Sequence, residues 1–415
     1  MTFGIHTIAQ SMRSPFIRGL ASYSVGEIAT KMSRLIAVIA MARVLTPSQV
    51  GIIAAAIAVA EILKALTENG VGQKIIAASR GEVEAVCKTA ARLNLIWISG
   101  LFVLQNALAY ALYAYSGQTE AALVIALMSV EYLFMPAGVV QCALAMREGK
   151  LSGTAAVAGA QNVSANIFLA ILVLIWPSPL AVAVSRIATA PIWLVGMRRL
   201  RPWTPTPSLE RAPLNGFVRF GTPIIGVEVL KVLRLQADKL IIGSLMGTEV
   251  LGIYFFTVNA GLGIANSFGI AFSTVLYPHL CAADNRGQTL RRALGFTLAL
   301  LTPVIVLQAL AAPYYVPMVF GEKWADMADY VAILCFAALP GIVWAAAAQD
   351  LRARSRTDLE LAYSAFIALA VTGGIFVAAP YGLSAVIYTV LATTTISQLV
   401  SASLAMGNTL TMRSA

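Results

Sequence analysis

The chain has 415 residues, of which 59% are hydrophobic and 12% are charged, and its mean hydropathy is +0.80. Soluble domains carry about 25% charged residues, so this chain has too little polar surface to be a soluble protein of its length. The formal net charge of +10 would indicate nucleic acid in a soluble domain. In a membrane protein the informative feature is instead the side of the bilayer on which the basic loops lie. Composition therefore predicts an all-α polytopic membrane protein with the lipid bilayer, not nucleic acid, as its partner.

No pattern in the chain indicates catalysis. The four cysteines form no CxxC pair and no metal-ligand spacing, and the two histidines, His6 and His279, are isolated. No Walker motif, GxSxG or DxD is present, so ATP use and glycosyl transfer find no support. We expect no catalytic residue, no metal, no cofactor and no enzymatic activity.

A membrane-spanning helix needs about 20 mostly apolar residues. By that criterion the chain predicts twelve helices, six in each half. They are Leu20–Ala42, Val50–Leu66, Thr89–Tyr115, Ala121–Met146, Gly153–Trp176, Pro179–Met197, Phe217–Met246, Val250–His279, Leu290–Val316, Asp326–Gln349, Leu359–Ala379 and Leu383–Met406.

The loops support this layout, because basic residues alternate between the two sides of the membrane. Connections after odd-numbered helices carry almost no cations, with Arg43 and Lys323 as exceptions, whereas connections after even-numbered helices are basic throughout. Under the positive-inside rule the basic side is cytoplasmic. Both termini, with Arg13 and Arg413, fall on that side. We therefore expect a bacterial inner-membrane protein whose two ends are cytoplasmic.

The two halves are related. At an offset of 201 residues Gly51 aligns with Gly252, and Phe16-Ile17-Arg18 aligns with Phe217-Val218-Arg219. Halves that enter the membrane from the same side are parallel repeats. The predicted domains are an N-terminal six-helix lobe at 1–200, a cytoplasmic Pro/Arg-rich linker at 201–215 and a C-terminal six-helix lobe at 216–415.

The stretch RVLTPSQVGI at Arg43–Ile52 carries a complete helix-start signal. Thr46 is the predicted N-cap, Pro47 the first helical residue, and Gln49 closes a capping box. Leu45 and Val50 have the spacing of a hydrophobic staple. The second helix is therefore predicted to begin at Pro47.

Charged residues inside predicted spans are costly, so they face a bundle interior or a wet cavity. Glu27, Lys31 and Arg34 share one face of the first helix, and the seventh helix carries a similar stripe. The candidate substrate-binding cations are Lys31, Arg34, Arg186, Lys231, Arg234 and Lys239. The candidate coupling or gating carboxylates are Glu27, Glu61, Glu228 and Asp238.

Two interpretations of these charges stay open. In the first they form only internal salt bridges, because Glu27–Lys31, Glu228–Lys231, Arg234–Asp238 and Glu61–Lys64 all have helix-neighbour spacing. Glu131 is alone in the fourth helix. In the second interpretation the cations exceed these pairs, because the first helix keeps one cation beyond its pair, the seventh keeps Lys239, and Arg186 has no local partner. A cavity between the halves would then receive an anionic group such as a phosphate or pyrophosphate.

Other side chains favour structural roles. Tyr254, Phe255 and Phe256 are predicted to pack in the protein rather than to form a sugar platform. Trp203 and Trp324 are typical of interfacial anchors. A set of amide side chains could line a polar path or form interhelical hydrogen bonds: Asn94, Gln105, Asn106, Gln161, Asn162 and Asn166.

RVLTPSQVGI, followed by an apolar helix and Glu68-Asn69-Gly70-Val71-Gly72, resembles the opening of Wzx-type oligosaccharide flippases. These belong to the polysaccharide transporter family of the multidrug/oligosaccharidyl-lipid/polysaccharide (MOP) exporter superfamily. The resemblance is most specific over Phe16–Tyr115. It implies two six-helix lobes around a cavity, an undecaprenyl-pyrophosphate-linked oligosaccharide as substrate, and transport to the periplasmic leaflet by alternating access. A polysaccharide polymerase or export machinery is then a candidate partner.

Three alternatives remain. A MATE-like (multidrug and toxic compound extrusion) drug or cation antiporter shares the fold, but it is expected to carry surplus intramembrane carboxylates. A lipid II flippase shares the mechanism. A membrane-embedded polymerase or ligase is disfavoured, because the predicted outward loops are too short to hold a catalytic site.

Overall fold

The structure is a computed structural model that describes residues 15–205, 212–281, 283–354 and 356–411. The side chains of Glu27, Lys231 and Arg234 lie outside the described residues, as do both chain ends with Arg13 and Arg413. The described chain is almost entirely helical, which confirms the predicted all-α fold.

Eight helices precede residue 205. Most of them begin and end within a few residues of the ends of a predicted span. A short additional helix, α3, follows the second span. Their bounds are α1 Pro15–Val44, α2 Pro47–Ala65, α3 Val71–Ala77, α4 Val83–Ser116, α5 Thr119–Met128, α6 Pro136–Arg147, α7 Leu151–Ile175 and α8 Leu180–Leu200.

The second half begins with one helical stretch, Asn215–Cys281, that is broken only at Gly247. Gly247 has φ 88°, a left-handed backbone that glycine adopts without strain, and it separates α9 (215–246) from α10 (248–281). The remaining helices are α11 Arg286–Tyr315, α12 Ala328–Cys335, α13 Ala338–Ala353, α14 Thr357–Ala378 and α15 Leu383–Thr411.

Two predicted spans are not single helices. Ala121–Met146 is a bent pair: Thr119–Leu133 and Pro136–Arg147 meet at 53°. Pro136 has no backbone N–H, so the regular pattern of α-helical hydrogen bonds cannot continue through it. The predicted span Asp326–Gln349 likewise contains a 3-10 segment and two helices, α12 and α13. Apolar composition predicted that these segments cross the membrane but not that they are bent.

The predicted helix start is confirmed. Thr46 N–H donates to Gln49 Oε1 at 3.0 Å, and Gln49 N–H donates to Thr46 Oγ1 at 3.3 Å. Helix α2 begins at Pro47, and both Leu45 and Val50 are buried. A local sequence signal is sufficient here because every group of the capping box lies within four residues.

The structure forms two compact units. The first runs to Leu45 and resumes over Ala55–Leu233, and the second comprises Thr46–Ala54 and Arg234–Ala415. In the first unit Phe217 is buried in a cluster with Val71, Ile75 and Cys87. The predicted lobe boundary at 201–215 stays a prediction.

The second unit contains a very close helix crossing between the start of α2 and the start of α10. A Cβ on Gly51 would lie 1.6 Å from the carbonyl oxygen of Thr248, and a Cβ on Gly252 would lie 1.8 Å from that of Pro47. The contact is reciprocal at the 201-residue offset of the repeat, because Pro47 aligns with Thr248 as Gly51 aligns with Gly252. Only glycine fits at either position.

Among the described residues nine helices are long and apolar enough to span a membrane, or ten if the bent pair counts as one span. A polytopic membrane protein is therefore confirmed, and the count of twelve stays a prediction.

Candidate functional site

Four charged side chains of the first unit meet in one network. Lys64 Nζ lies 2.9 Å from Glu131 Oε1, Arg186 Nη2 lies 3.2 Å from Glu61 Oε1, and Arg186 Nη1 lies 3.8 Å from Glu131 Oε2. Three separate elements supply these groups: α2, the 3-10 turn Ser129–Leu133 and α8. The network therefore ties together helices that are distant in the sequence.

Each element positions its charge for a local reason. Glu61 and Lys64 are three residues apart, so they share a face of α2. Glu131 lies in the 3-10 turn at the end of Thr119–Leu133, the first helix of the bent pair, and it is only 9% exposed. A carboxylate buried to that degree requires cationic partners, and it has two.

The network corrects one predicted pair. Glu61 and Lys64 do not pair with each other, because each binds a residue of another element. Glu131 and Arg186 have no ion-pair partner at helix spacing, as the sequence indicated, and packing supplies their partners from other elements. Of these four residues only Glu61 and Arg186 were predicted site residues. Lys64 and Glu131 were missed, although a lone carboxylate in an apolar span was itself a signal that a cation lies nearby.

The network is cationic when Arg34 is included. Arg34, on α1, interacts electrostatically with both Glu61 and Arg186, and it is exposed. Arg34, Lys64 and Arg186 thus stand against two carboxylates, Glu61 and Glu131. Lys31, one helical turn before Arg34, forms no ion pair with any described residue. Among the side chains that the structure describes, internal salt bridging accounts for part of the charge and leaves a net positive site.

The second unit holds a smaller charged group. Asp238 Oδ1 lies 3.2 Å from Lys239 Nζ, and Asp238 Oδ2 accepts a hydrogen bond from the Tyr254 hydroxyl at 3.0 Å. Lys239 also donates to the carbonyl of Leu235 at 3.0 Å. Lys239 was predicted to be unpaired, and that prediction is wrong because its neighbour in sequence supplies the carboxylate. Glu228, on α9, has an interaction partner of its own.

Three of the six amide side chains, Gln105, Asn106 and Asn166, form hydrogen bonds between helices. Gln105 Nε2 donates to the Ile125 carbonyl at 2.7 Å, and Asn106 Nδ2 donates to Ser129 Oγ at 2.8 Å. Asn166 Nδ2 donates to Ser33 Oγ at 3.0 Å. For these residues the polar-path interpretation loses support, since their donors are already used between helices.

The aromatic residues of the second unit form a buried stack. The rings of Phe256 and Trp324 are stacked with centroids 4.0 Å apart, and Phe320 meets Phe256 edge-on at 4.9 Å. Packing of Tyr254, Phe255 and Phe256 is confirmed, because all three are buried. The prediction of Trp324 as an interfacial anchor is wrong: its exposed fraction is 0%, so it contacts neither lipid nor water.

Residues 40–329 match the protein family described as "Polysaccharide biosynthesis protein". The chain belongs to this family. Family membership agrees with the resemblance of Arg43–Ile52 to polysaccharide transporters. The chain is 20% identical over 375 residues to the lipopolysaccharide biosynthesis protein WzxC of Escherichia coli, which covers 86% of this chain and 73% of WzxC. It is 24% identical over 294 residues to the succinoglycan biosynthesis transport protein ExoT of Rhizobium meliloti, covering 69% and 58% of the two chains.

Solved structures place this family member in the MOP fold. The lipid II flippase MurJ, in an inward closed conformation, superposes with a TM-score of 0.75 at 12% identity, over 93% of this chain and 87% of MurJ. An inward-facing MATE transporter of the MOP superfamily superposes with a TM-score of 0.68 at 14% identity, over 94% of this chain and 100% of its own. The predicted MATE-like fold class is thereby confirmed.

Proposed function

We propose that this protein translocates undecaprenyl-pyrophosphate-linked oligosaccharide units across the bacterial inner membrane by alternating access, for export of a surface polysaccharide. Membership of the polysaccharide biosynthesis family supports the pathway, and the MOP fold supports a transporter. The observation that carries the substrate class is the net positive charge of the network around Arg34. A lipid-linked pyrophosphate is an anion, whereas a MATE-like antiporter for cations would meet repulsion at the same place.

The geometry suggests how the charges divide their roles. Glu131 holds Lys64 and Arg186 in place, while Arg186 also binds Glu61. Arg34 makes no hydrogen bond to a described residue, so its planar guanidinium is available for two parallel bonds to phosphate oxygens. Arg34 is the proposed primary contact of the head group, with Lys31 beside it. Lys231 and Arg234 are proposed to serve the same role from the second half.

The carboxylates have a second proposed role. Glu61 is held by Arg186, and an incoming anion that competes for Arg186 would release Glu61 to bind a proton or a cation. Asp238 is engaged by Lys239 and Tyr254 in the same manner. With Glu27 and Glu228, these are the proposed coupling or gating groups.

The test is complementation of a strain that lacks the gene. We expect Arg34→Ala to lower surface polysaccharide at least tenfold while the protein stays in the membrane at the wild-type level by immunoblot. Arg34→Lys keeps the charge but not the planar fork, so we expect partial activity. The matched control is Arg292→Ala, an exposed arginine on α11 without a partner among the described residues; it should leave polymer unchanged. Full polymer from Arg34→Ala would contradict the proposed anion site.

A further inference from the structure

A groove of about 580 Å³ opens on the first unit, and none of the four residues of the charged network lines it. Its walls come from α4, the bend of the α5–α6 pair, the end of α8 and the first residues after α8. Leu95 and Leu133 are 54% and 57% exposed in it. The residues that line it are Ala91, Leu95, Leu133, Pro136, Ala137, Val140, Gln141, Arg198, Pro202, Trp203, Thr204 and Pro205.

The groove is built rather than incidental. The break before Pro136 turns α6 away from α5 by 53°, which leaves space beside Leu133. The segment after α8 closes one end, because Trp203 Nε1 donates to Glu84 Oε2 at 3.1 Å and Gln141 Nε2 donates to the Trp203 carbonyl at 3.4 Å. The start of the linker is thus fixed against α4 and α6.

The closed end carries unused positive charge. Arg198 donates through Nε to the Ala137 carbonyl at 3.1 Å, and its two Nη groups bind no described residue. Arg199, the next residue, is exposed and likewise has no partner in the described part of the chain.

The nearby carboxylates are already engaged. Glu148 binds Arg201 Nε at 2.5 Å and Lys150 at 3.1 Å. The hydrogen bonds from Arg201 and then from Lys150 hold the pKa of Glu148 below its ordinary value. Glu84 accepts from Trp203. Neither carboxylate is paired with Arg198, so the end of the groove is cationic.

We infer that this groove binds an anionic phospholipid of the surrounding bilayer, with an acyl chain along Leu95 and Leu133 and the phosphate at Arg198. Basic pockets between membrane helices recognise lipid head groups in this way. The part of α6 that lines the groove runs from Pro136 to Gln141, about 9 Å, so the groove takes roughly the upper half of an acyl chain in a leaflet of about 15 Å of hydrocarbon. The bound lipid would pin the linker start at Trp203 to the first unit.

The first measurement is native mass spectrometry of the full-length protein titrated with phosphatidylglycerol or phosphatidylcholine. We expect the first phosphatidylglycerol to bind about tenfold more tightly than phosphatidylcholine, and Arg198→Gln to remove that preference. Arg292→Gln, which removes an equal charge from α11, is the matched control and should keep it. Equal binding of the two lipids by the wild type, or an undiminished preference in Arg198→Gln, would overturn the inference.

The second measurement locates the lipid. Phosphatidylglycerol with brominated chains should quench wild-type fluorescence more than that of Trp203→Phe, because Trp203 lines the groove. Leu133→Trp, at an exposed position, fills the groove with every arginine intact and should lower phosphatidylglycerol binding, which keeps the test decisive if Arg198→Gln fails to fold. Equal quenching of wild type and Trp203→Phe, or unchanged binding by Leu133→Trp, would place the lipid elsewhere and refute the site.

Discussion

The two halves of the chain join their helices with different chemistry. The first unit joins its helices through the ion network of Lys64, Glu131 and Arg186, whereas the second joins its helices through the aromatic stack of Phe256 and Trp324. At the 201-residue offset Glu61 aligns with Leu262 and Lys64 with Ala265. The charges are therefore not a requirement of the fold. One half folds without them at the matching positions, which favours a functional reason for keeping them in the other.

The largest expected effect is the loss of stability on removing a carboxylate from the ion network of the first unit. Removing one partner of a buried ion pair leaves an uncompensated charge and costs about 3–5 kcal/mol. Glu131→Ala should therefore lower the free energy of unfolding in detergent micelles by up to about that amount, because Lys64 loses its ion-pair partner and Arg186 keeps only Glu61. Glu249→Ala, at an exposed carboxylate of the second unit, should change it by less than about 0.5 kcal/mol. A loss below 1 kcal/mol in Glu131→Ala would show that the network is dispensable for stability.

The next effect concerns the close crossing of α2 and α10, to which each half of the chain contributes one glycine. Gly51→Ala and Gly252→Ala each place a methyl group within 2 Å of a backbone oxygen, so the helices must separate, at a cost of at least about 1–3 kcal/mol. Because the contact is reciprocal, thermal unfolding should show similar losses for the two variants. Gly100→Ala, with no atom within 4 Å of the added Cβ, should be neutral or stabilising by up to about 1 kcal/mol. Very unequal losses for Gly51→Ala and Gly252→Ala would refute the symmetric crossing.

The smallest effect concerns the aromatic stack. Trp324→Phe keeps an aromatic ring but weakens the contact with Phe256, so we expect a loss of about 0.5–1.5 kcal/mol. This loss should be the same at 0.1 M and 1 M salt, because no charge is involved. Trp176→Phe, at a residue 43% exposed, serves as the control and should have little effect. A salt-dependent loss in Trp324→Phe would mean that the second unit also depends on electrostatic interactions.

The amino-acid sequence by itself determined the features that depend on local or periodic patterns. Apolar runs predicted where most helices lie, the capping box predicted the start of α2 at Pro47, and the 201-residue offset predicted the equivalence of Gly51 and Gly252. Each of these needs only neighbouring residues or a comparison of one half with the other, so a single chain is sufficient.

Only the tertiary structure decided which charges meet. Helix spacing paired Glu61 with Lys64, but packing brought Glu131 and Arg186 closer to them, and the bend before Pro136 placed Glu131 there. The same holds for Trp324, whose composition-based prediction as an interfacial residue failed because Phe256 covers it. Side-chain partners across helices are set by rotation and bending of whole elements, and those are fixed by the packing of the complete fold rather than by any local stretch of sequence.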